Sequence, residues 1–178
     1  GFDPEEGRFY PEASTAAQLL GFMGKDNDGN NKGYFGLEGF HDYTLTGRPG
    51  FLQRESDGAG NPLIFGKEKK LEARQGVDLL THIDKTVQLT IERNLKEGLE
   101  KYGAISGSIV VMNPHTGAIL GMTSWPSYDQ AKYYEYSDEF FKNPVISDFY
   151  EPGSIFKPII MASGLDAGVV TPNTPCDI

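Results

Sequence analysis

A serine and a lysine three residues apart are the strongest candidates for chemistry in this sequence. Ser154 and Lys157 enclose Ile155 and Phe156, and Pro158 follows directly. A serine hydroxyl becomes an effective nucleophile when a neighbouring base accepts its proton. A lysine amine can do this once burial or nearby positive charge lowers its pKa. The pair therefore points to acyl transfer through a covalent serine intermediate.

A helix has to begin close to Ser154 if the two side chains are to meet. Proline fits an α-helix only in its first turn, so Pro158 predicts a helix start shortly after the turn at Pro152-Gly153. Residues three apart on a helix are neighbours, about 5–6 Å apart at Cβ. The helix N-terminus would add positive partial charge and backbone amides that are candidate oxyanion donors. The alternative is a helix-capping serine beside a surface lysine.

The first 76 residues or so are rich in glycine, asparagine, aspartate and proline. Short helices are predicted at 14–22 and 37–45, and two pairing strands within 51–70. A further strand is predicted at 77–83. This pattern is typical of an elongated, loop-rich module.

The following part carries the most regular pattern. Asp84 predicts a helix N-terminus and Gly103 its left-handed end. The apolar side of this helix is predicted to hold Val87, Ile91, Leu95, Leu99 and Tyr102. Its solvated side is predicted to hold Glu92, Glu97 and Glu100. Two β-rich runs, 105–112 and 118–123, flank a Pro- and Gly-containing turn and predict a hairpin. The aromatic-rich stretch at 125–150 is expected mainly to pack as a wall, and the alternative is that it lines a substrate groove.

Composition excludes several other classes of function. Sixteen basic and 25 acidic side chains give a net charge of −9, which argues against a nucleic-acid partner. The single cysteine, Cys176, supports neither an internal disulfide nor a metal site. The three histidines lack zinc spacing, and the loop starting at Asp26 departs from a calcium loop because Asn31 stands at its sixth position. We expect no metal and no cofactor.

Several longer motifs, in order, resemble one known family. Around the tetrad the sequence reads YEPGSIFKP at 150–158, and the stretches 107–124, 126–129 and 143–145 precede it. They resemble the opening of the transpeptidase domain in class B penicillin-binding proteins, of the penicillin-binding protein 2 or septal transpeptidase type. Farther upstream, four segments resemble the membrane-proximal pedestal of that family: RFYP at 8–11, LGFMG at 20–24, GLEG at 36–39 and LTGRPG at 45–50.

The resemblance implies an α+β chain in two parts: a loop-rich, dimerisation-type pedestal at 1–76 and the first part of a β-lactamase/transpeptidase-like domain at 77–178. It implies that Ser154 is the acyl-forming nucleophile and Lys157 its general base. The enzyme would cross-link peptidoglycan stem peptides and be acylated by β-lactams. Other cell-wall synthesis proteins are expected partners. The expected location is the extracytoplasmic face of a bacterial membrane, through an N-terminal anchor outside this sequence.

Two family motifs, S-x-N and K-T-G, do not occur in the sequence. The triplet His115-Thr116-Gly117 precedes the nucleophile and belongs to the hairpin turn, so we reject it as a site element. We therefore expect a fragment that ends just after the S-x-x-K motif and is inactive alone. The alternatives are a non-catalytic penicillin sensor and a structural scaffold of the cell-wall machinery.

Overall fold

The computed structural model describes residues 7–56, 58 and 68–175, and the chain divides after Ser147 into two compact units. We describe each unit by itself. The prediction of a domain boundary near residue 76 stays a prediction. The turn signals at Asp57 and at Asn61-Pro62, and the lone Cys176, lie outside the described residues.

The first unit opens with short elements, which are α1 (Ala17–Leu20), β1 (Phe22–Lys25), β2 (Asn31–Tyr34), α2 (Gly36–Phe40) and α3 (Asp42–Leu45). The helix predicted at 14–22 is only one turn long, because Ala16 is left-handed at its start (φ 54°) and Gly21 ends it (φ 77°). β1 and β2 form an antiparallel hairpin that the sequence did not predict. The helix predicted at 37–45 is interrupted at His41, whose φ of −103° and ψ of 11° break the regular backbone.

The strands predicted within 51–70 are confirmed as an antiparallel pair, β3 (Phe51–Arg54) and β4 (Glu68–Leu71). The strand predicted at 77–83 is wrong. The backbone there is irregular, and Val77 donates its amide to the carbonyl of Thr44 and not to a strand in the described part of the chain. Apolar residues alone do not make a strand, because a strand also needs a neighbouring strand to hydrogen-bond with, and the sequence pattern does not show whether one is present.

The long helix α4 (Lys85–Tyr102) confirms the strongest pattern in the sequence. The carboxylate of Asp84 accepts a hydrogen bond from the Val87 amide at 2.9 Å, which caps the helix N-terminus. Gly103 adopts the predicted left-handed conformation at φ 64°. Ile91 is buried, whereas Tyr102 is 76% exposed and does not belong to the packed side.

The predicted hairpin forms from β5 (Gly107–Met112) and β6 (Ile119–Trp125), which pair antiparallel. One side of it lies against α4. A Cβ built on Gly121 would lie 2.9 Å from the Cδ1 of Ile91, and one on Gly107 would lie 3.0 Å from the Cδ1 of Leu95. These two glycines therefore allow the helix to approach the strands closely.

A buried amide connects α4 to the outer edge of β6. Gln88, which is 1% exposed, donates from Nε2 to the Met122 carbonyl (2.9 Å) and accepts the Met122 amide at Oε1 (2.9 Å). Its Nε2 also donates to Glu92 (2.7 Å), which in turn accepts the backbone amide of Ala16 (2.8 Å). The prediction that Glu92 lies on the solvated side of α4 is therefore wrong, because its carboxylate accepts a hydrogen bond from the backbone amide of Ala16.

An aromatic core joins the first hairpin to the segment after β6. Its buried members are Ala17, Phe22, Tyr128 and Phe141. Phe22 stacks on Tyr133 with ring centroids 4.3 Å apart, and the Tyr128 hydroxyl donates to the carbonyl of Ala17 at 3.0 Å. The expectation of wall packing is confirmed for these rings. Short 3₁₀ turns at Gln130–Glu135 and Asp138–Phe140 and the helix α5 (Pro144–Ser147) complete the unit.

The second unit contains a 3₁₀ turn (Gly153–Phe156) that leads into α6 (Lys157–Asp166). None of the helices in the described part of the chain is both long enough and apolar enough to cross a bilayer.

Candidate active site

The backbone around Ser154 follows the turn chemistry of its sequence. Gly153 takes a left-handed φ of 57°, which glycine adopts without a Cβ penalty. Ser154 then lies in the 3₁₀ turn, and Lys157 is the first residue of α6. Pro158 occupies the first turn of the helix, where its missing amide hydrogen costs no internal bond. The predicted helix start close to Ser154 is confirmed.

The two predicted site residues are close in the chain but do not bond to each other. Both are exposed, and the structure records no hydrogen bond or ion pair of either side chain with another described residue. Ser154 does not cap the helix, because neither helical segment has a side-chain cap. Ser163 behaves differently, since its hydroxyl donates to the carbonyl of Ile159 at 2.9 Å. The Ser154 hydroxyl is thus available for chemistry, while its activation by Lys157 stays a prediction.

The surroundings of the pair are apolar but open. Between residues 155 and 165 the large apolar side chains are 41–65% exposed. They are Ile155, Phe156, Ile159, Ile160, Met161 and Leu165. A helix that is apolar around its whole circumference is normally found in a protein interior. Because these apolar side chains are exposed, they would desolvate Lys157 only if other parts of the protein packed over them.

The structure adds polar residues that the sequence analysis missed, all in the first unit. Gln88 and Glu92 join α4 to β6 and to the N-terminal segment, as described above. Gln130 is 1% exposed and donates from Nε2 to the Gly21 carbonyl at 3.0 Å. A signal existed for Gln88, because it lies between Val87 and Ile91 on a helix face predicted to be buried. Within the described residues, the His, Cys, Asp and Glu side chains form no group of three that could hold a metal ion.

Comparison with known proteins connects this segment to one family. Residues 107–178 match the family model described as the penicillin binding protein transpeptidase domain. The match contains β5, β6, the aromatic stretch and the whole second unit. It therefore includes both Ser154 and Lys157.

Individual relatives extend the similarity over nearly the whole chain. Stage V sporulation protein D of Bacillus subtilis is 34% identical over 89% of this chain and 24% of its own length. Peptidoglycan D,D-transpeptidase FtsI of Escherichia coli is 31% identical over 96% of this chain and 28% of its own length. The chain thus spans about a quarter of the length of these relatives.

Solved structures agree with this assignment. A peptidoglycan synthetase from Bifidobacterium adolescentis has a TM-score of 0.72 and 30% identity over 92% of this chain and 29% of that one. Penicillin Binding Protein 2X from Streptococcus thermophilus has a TM-score of 0.65 and 27% identity over 94% of this chain and 26% of that one. Nearly the whole chain is thus similar to part of known peptidoglycan D,D-transpeptidases and penicillin-binding proteins, and residues 107–178 match the penicillin binding protein transpeptidase domain.

Proposed function

We propose that the whole protein is a peptidoglycan D,D-transpeptidase in which Ser154 is the nucleophile and Lys157 its general base. The observation that carries the proposal is that a helix begins between the two residues: Ser154 lies in the 3₁₀ turn and Lys157 is the first residue of α6. The Ser154 hydroxyl does not cap either helical segment. The family match over 107–178 supports it, because the matched residues include this pair.

The proposed reaction has two acyl-transfer steps. Ser154 Oγ attacks the carbonyl carbon of a D-Ala-D-Ala stem peptide while its proton passes to the Lys157 amine. The peptide bond breaks, and the terminal D-Ala leaves with that proton on its amine. An amine of a neighbouring stem peptide then attacks the ester, and Ser154 Oγ recovers a proton as the cross-link forms. A β-lactam would enter the first step and stop at the ester.

The backbone at the start of α6 supports this chemistry electrostatically. The first amides of a helix have no intrahelical partners and carry positive partial charge. They lie close to Ser154 in the chain and are therefore candidate donors for the oxyanion of the tetrahedral intermediate.

We extend the proposal to the setting of the enzyme. Residues up to about 76 would form a pedestal, and an N-terminal anchor would hold the protein at the extracytoplasmic face of the membrane. Stem peptides and β-lactams would be its ligands, and other cell-wall synthesis proteins its partners.

Fluorescent penicillin tests the nucleophile in the whole protein. We expect stoichiometric labelling that maps to Ser154, and its loss in Ser154→Ala. Ser163→Ala is the matched control, because that hydroxyl is engaged with the Ile159 carbonyl on the same helix. Lys157→Ala should slow acylation by about 100-fold or more, the scale of general-base loss. Labelling that survives Ser154→Ala would refute the assignment.

Acceptor transfer separates the enzyme from the non-catalytic alternatives. We expect the acyl-enzyme formed with a stem-peptide thioester to be resolved by an added acceptor amine, giving a cross-linked product by mass spectrometry. A penicillin sensor would form the acyl-enzyme but release no cross-linked product. A structural scaffold would not be acylated.

A further inference from the structure

A cavity of about 490 Å³ opens in the first unit beside the aromatic core. Its volume lies within the range for small-molecule sites, about 300–1,000 Å³. Apart from Gly24, every described residue of its wall has an aromatic or a charged side chain. Aromatic rings, and not the methyl groups of aliphatic residues, therefore supply its apolar surface.

The buried ring of Phe22 supports the part of the wall that solvent reaches. It stacks on Tyr133 with ring centroids 4.3 Å apart and on Tyr34 with centroids 5.8 Å apart. Tyr133 in turn meets Tyr134 at 78°, with centroids 5.9 Å apart. Tyr134 is 72% exposed, and Tyr34, Tyr133 and Tyr136 are partly exposed. A ligand that enters the cavity can thus reach tyrosine rings that are held at different angles.

The electrostatics of the wall depend mainly on these rings. The face of a tyrosine ring has a negative potential and attracts cations. Within the chain one ring of the wall already does so, because Lys32 Nζ lies 5.6 Å from the centroid of the Tyr34 ring. The wall also contains one carboxylate, Asp138, and one ammonium group, Lys25. Since these two formal charges balance, the rings and the net charge of −9 of the chain favour a cationic ligand.

A quaternary ammonium group suits an aromatic wall better than a primary ammonium group. A primary ammonium group is strongly hydrated and has three N–H donors, so its transfer from water into the cavity is costly unless acceptors replace the lost water. A quaternary ammonium group has no N–H donor, and aromatic rings recognise it through cation–π attraction.

We propose that this aromatic cavity binds a quaternary ammonium group, whose positive charge lies beside Tyr133, Tyr134 and Tyr136. The carboxylate of Asp138 acts as its counter-charge. The site does not depend on the acyl transfer proposed at Ser154, which belongs to the other unit.

Choline and neohexyl alcohol test the proposal as matched probes, because they have nearly the same shape but a neutral tert-butyl group replaces trimethylammonium in the alcohol. Each is titrated into the full chain at constant ionic strength, set with sodium chloride, while NMR follows the tyrosine ring signals. We expect saturable shifts with choline and binding of the alcohol weaker by about fivefold or more, the scale of a cation–π contact.

A pair of variants tests the location. Tyr134→Leu keeps apolar bulk in the wall but removes the ring, and should weaken choline binding by about threefold or more. Tyr43→Leu is the control and should leave choline binding unchanged, because Tyr43 is 76% exposed and is not part of this wall. Equal affinity for both probes, choline shifts that do not saturate, or unchanged choline binding in a folded Tyr134→Leu variant would each overturn the proposal. The probe comparison uses the unaltered chain, so it remains decisive if Tyr134→Leu does not fold.

A quaternary ammonium group can come from a free small molecule or from a lipid headgroup, and sedimentation with phosphatidylcholine vesicles separates these sources. Vesicle binding that choline displaces would support the proposal with a headgroup as the ligand. Saturable choline binding without vesicle binding would support it with a soluble ligand.

Discussion

The helices α4 and α6, one in each unit, differ in how far their apolar side chains are buried. α4 buries Ile91 and Leu99 against the hairpin of β5 and β6. Its Gln88 side chain hydrogen-bonds the backbone amide and carbonyl of Met122 in β6. α6 has no buried residue, and Ile159 and Ile160 are 57% and 60% exposed. Local sequence thus suffices to order Ser154 and Lys157 along a helix, whereas the desolvation that a lysine base needs has to come from packing onto that helix.

The close backbone packing of the first unit can be broken at Gly21. A Cβ there would lie 2.1 Å from the carbonyl oxygen of Phe35, and φ is +77°. We expect Gly21→Ala to lower the free energy of unfolding by about 3 kcal/mol in urea denaturation, because clash and backbone strain add. Gly29→Ala is the control, since φ is +82° there but no atom lies within 4 Å. Equal losses for both variants would mean that φ alone, without close packing, sets the effect.

The polar connection between α4 and β6 can be removed at Gln88. Gln88→Leu introduces an apolar side chain of similar size and leaves the amide and carbonyl of Met122 without these partners. We expect a loss of about 2 kcal/mol in the free energy of unfolding, measured by urea denaturation. Leu89→Ala, at a 41% exposed position on the same helix, should cost clearly less. A neutral Gln88→Leu variant would contradict the assigned connection.

Alkaline pH should destabilise the aromatic core. Burial raises the pKa of Tyr128 well above its usual value, and burial also raises the pKa of Tyr10. Because the neutral phenol is favoured in the folded state, this stability is complete below the unfolded pKa of about 10 and is lost as pH rises beyond it. Thermal denaturation between pH 8 and 11 should show a falling midpoint. Tyr128→Phe should reduce that slope, whereas Tyr134→Phe, at a 72% exposed position, should not.

The open surface of α6 predicts the smallest effect. Ile160→Ser should change the free energy of unfolding of the 178-residue chain by less than about 0.5 kcal/mol, as is usual for exposed positions. The matched substitution Ile91→Ser, at a buried position of α4, should cost several times more. Similar losses at the two positions in urea denaturation would contradict the contrast between the two helices.

The sequence predicted the features that depend on local rules. The Asp84 cap, the left-handed Gly103, the hairpin turn and the helix start before Pro158 all follow from residue chemistry within a few positions. It missed features decided by distant partners. Glu92 looked solvated but bonds to Ala16, 76 residues away, and the apolar run at 77–83 found no ladder partner in the described chain. The order of Ser154 and Lys157 was predictable, but their environment depends on packing.

We propose that Ser154 is an acyl nucleophile, and that its activation requires other parts of the whole protein to pack over α6. The most direct measurement compares fluorescent penicillin labelling of residues 1–178 alone with labelling of the whole protein, followed by peptide mapping. We expect Ser154 to be labelled rapidly in the whole protein and at least about 100-fold more slowly in residues 1–178, because preorganised transition-state contacts are worth that much. Rapid, stoichiometric labelling of Ser154 in residues 1–178 alone would contradict this account.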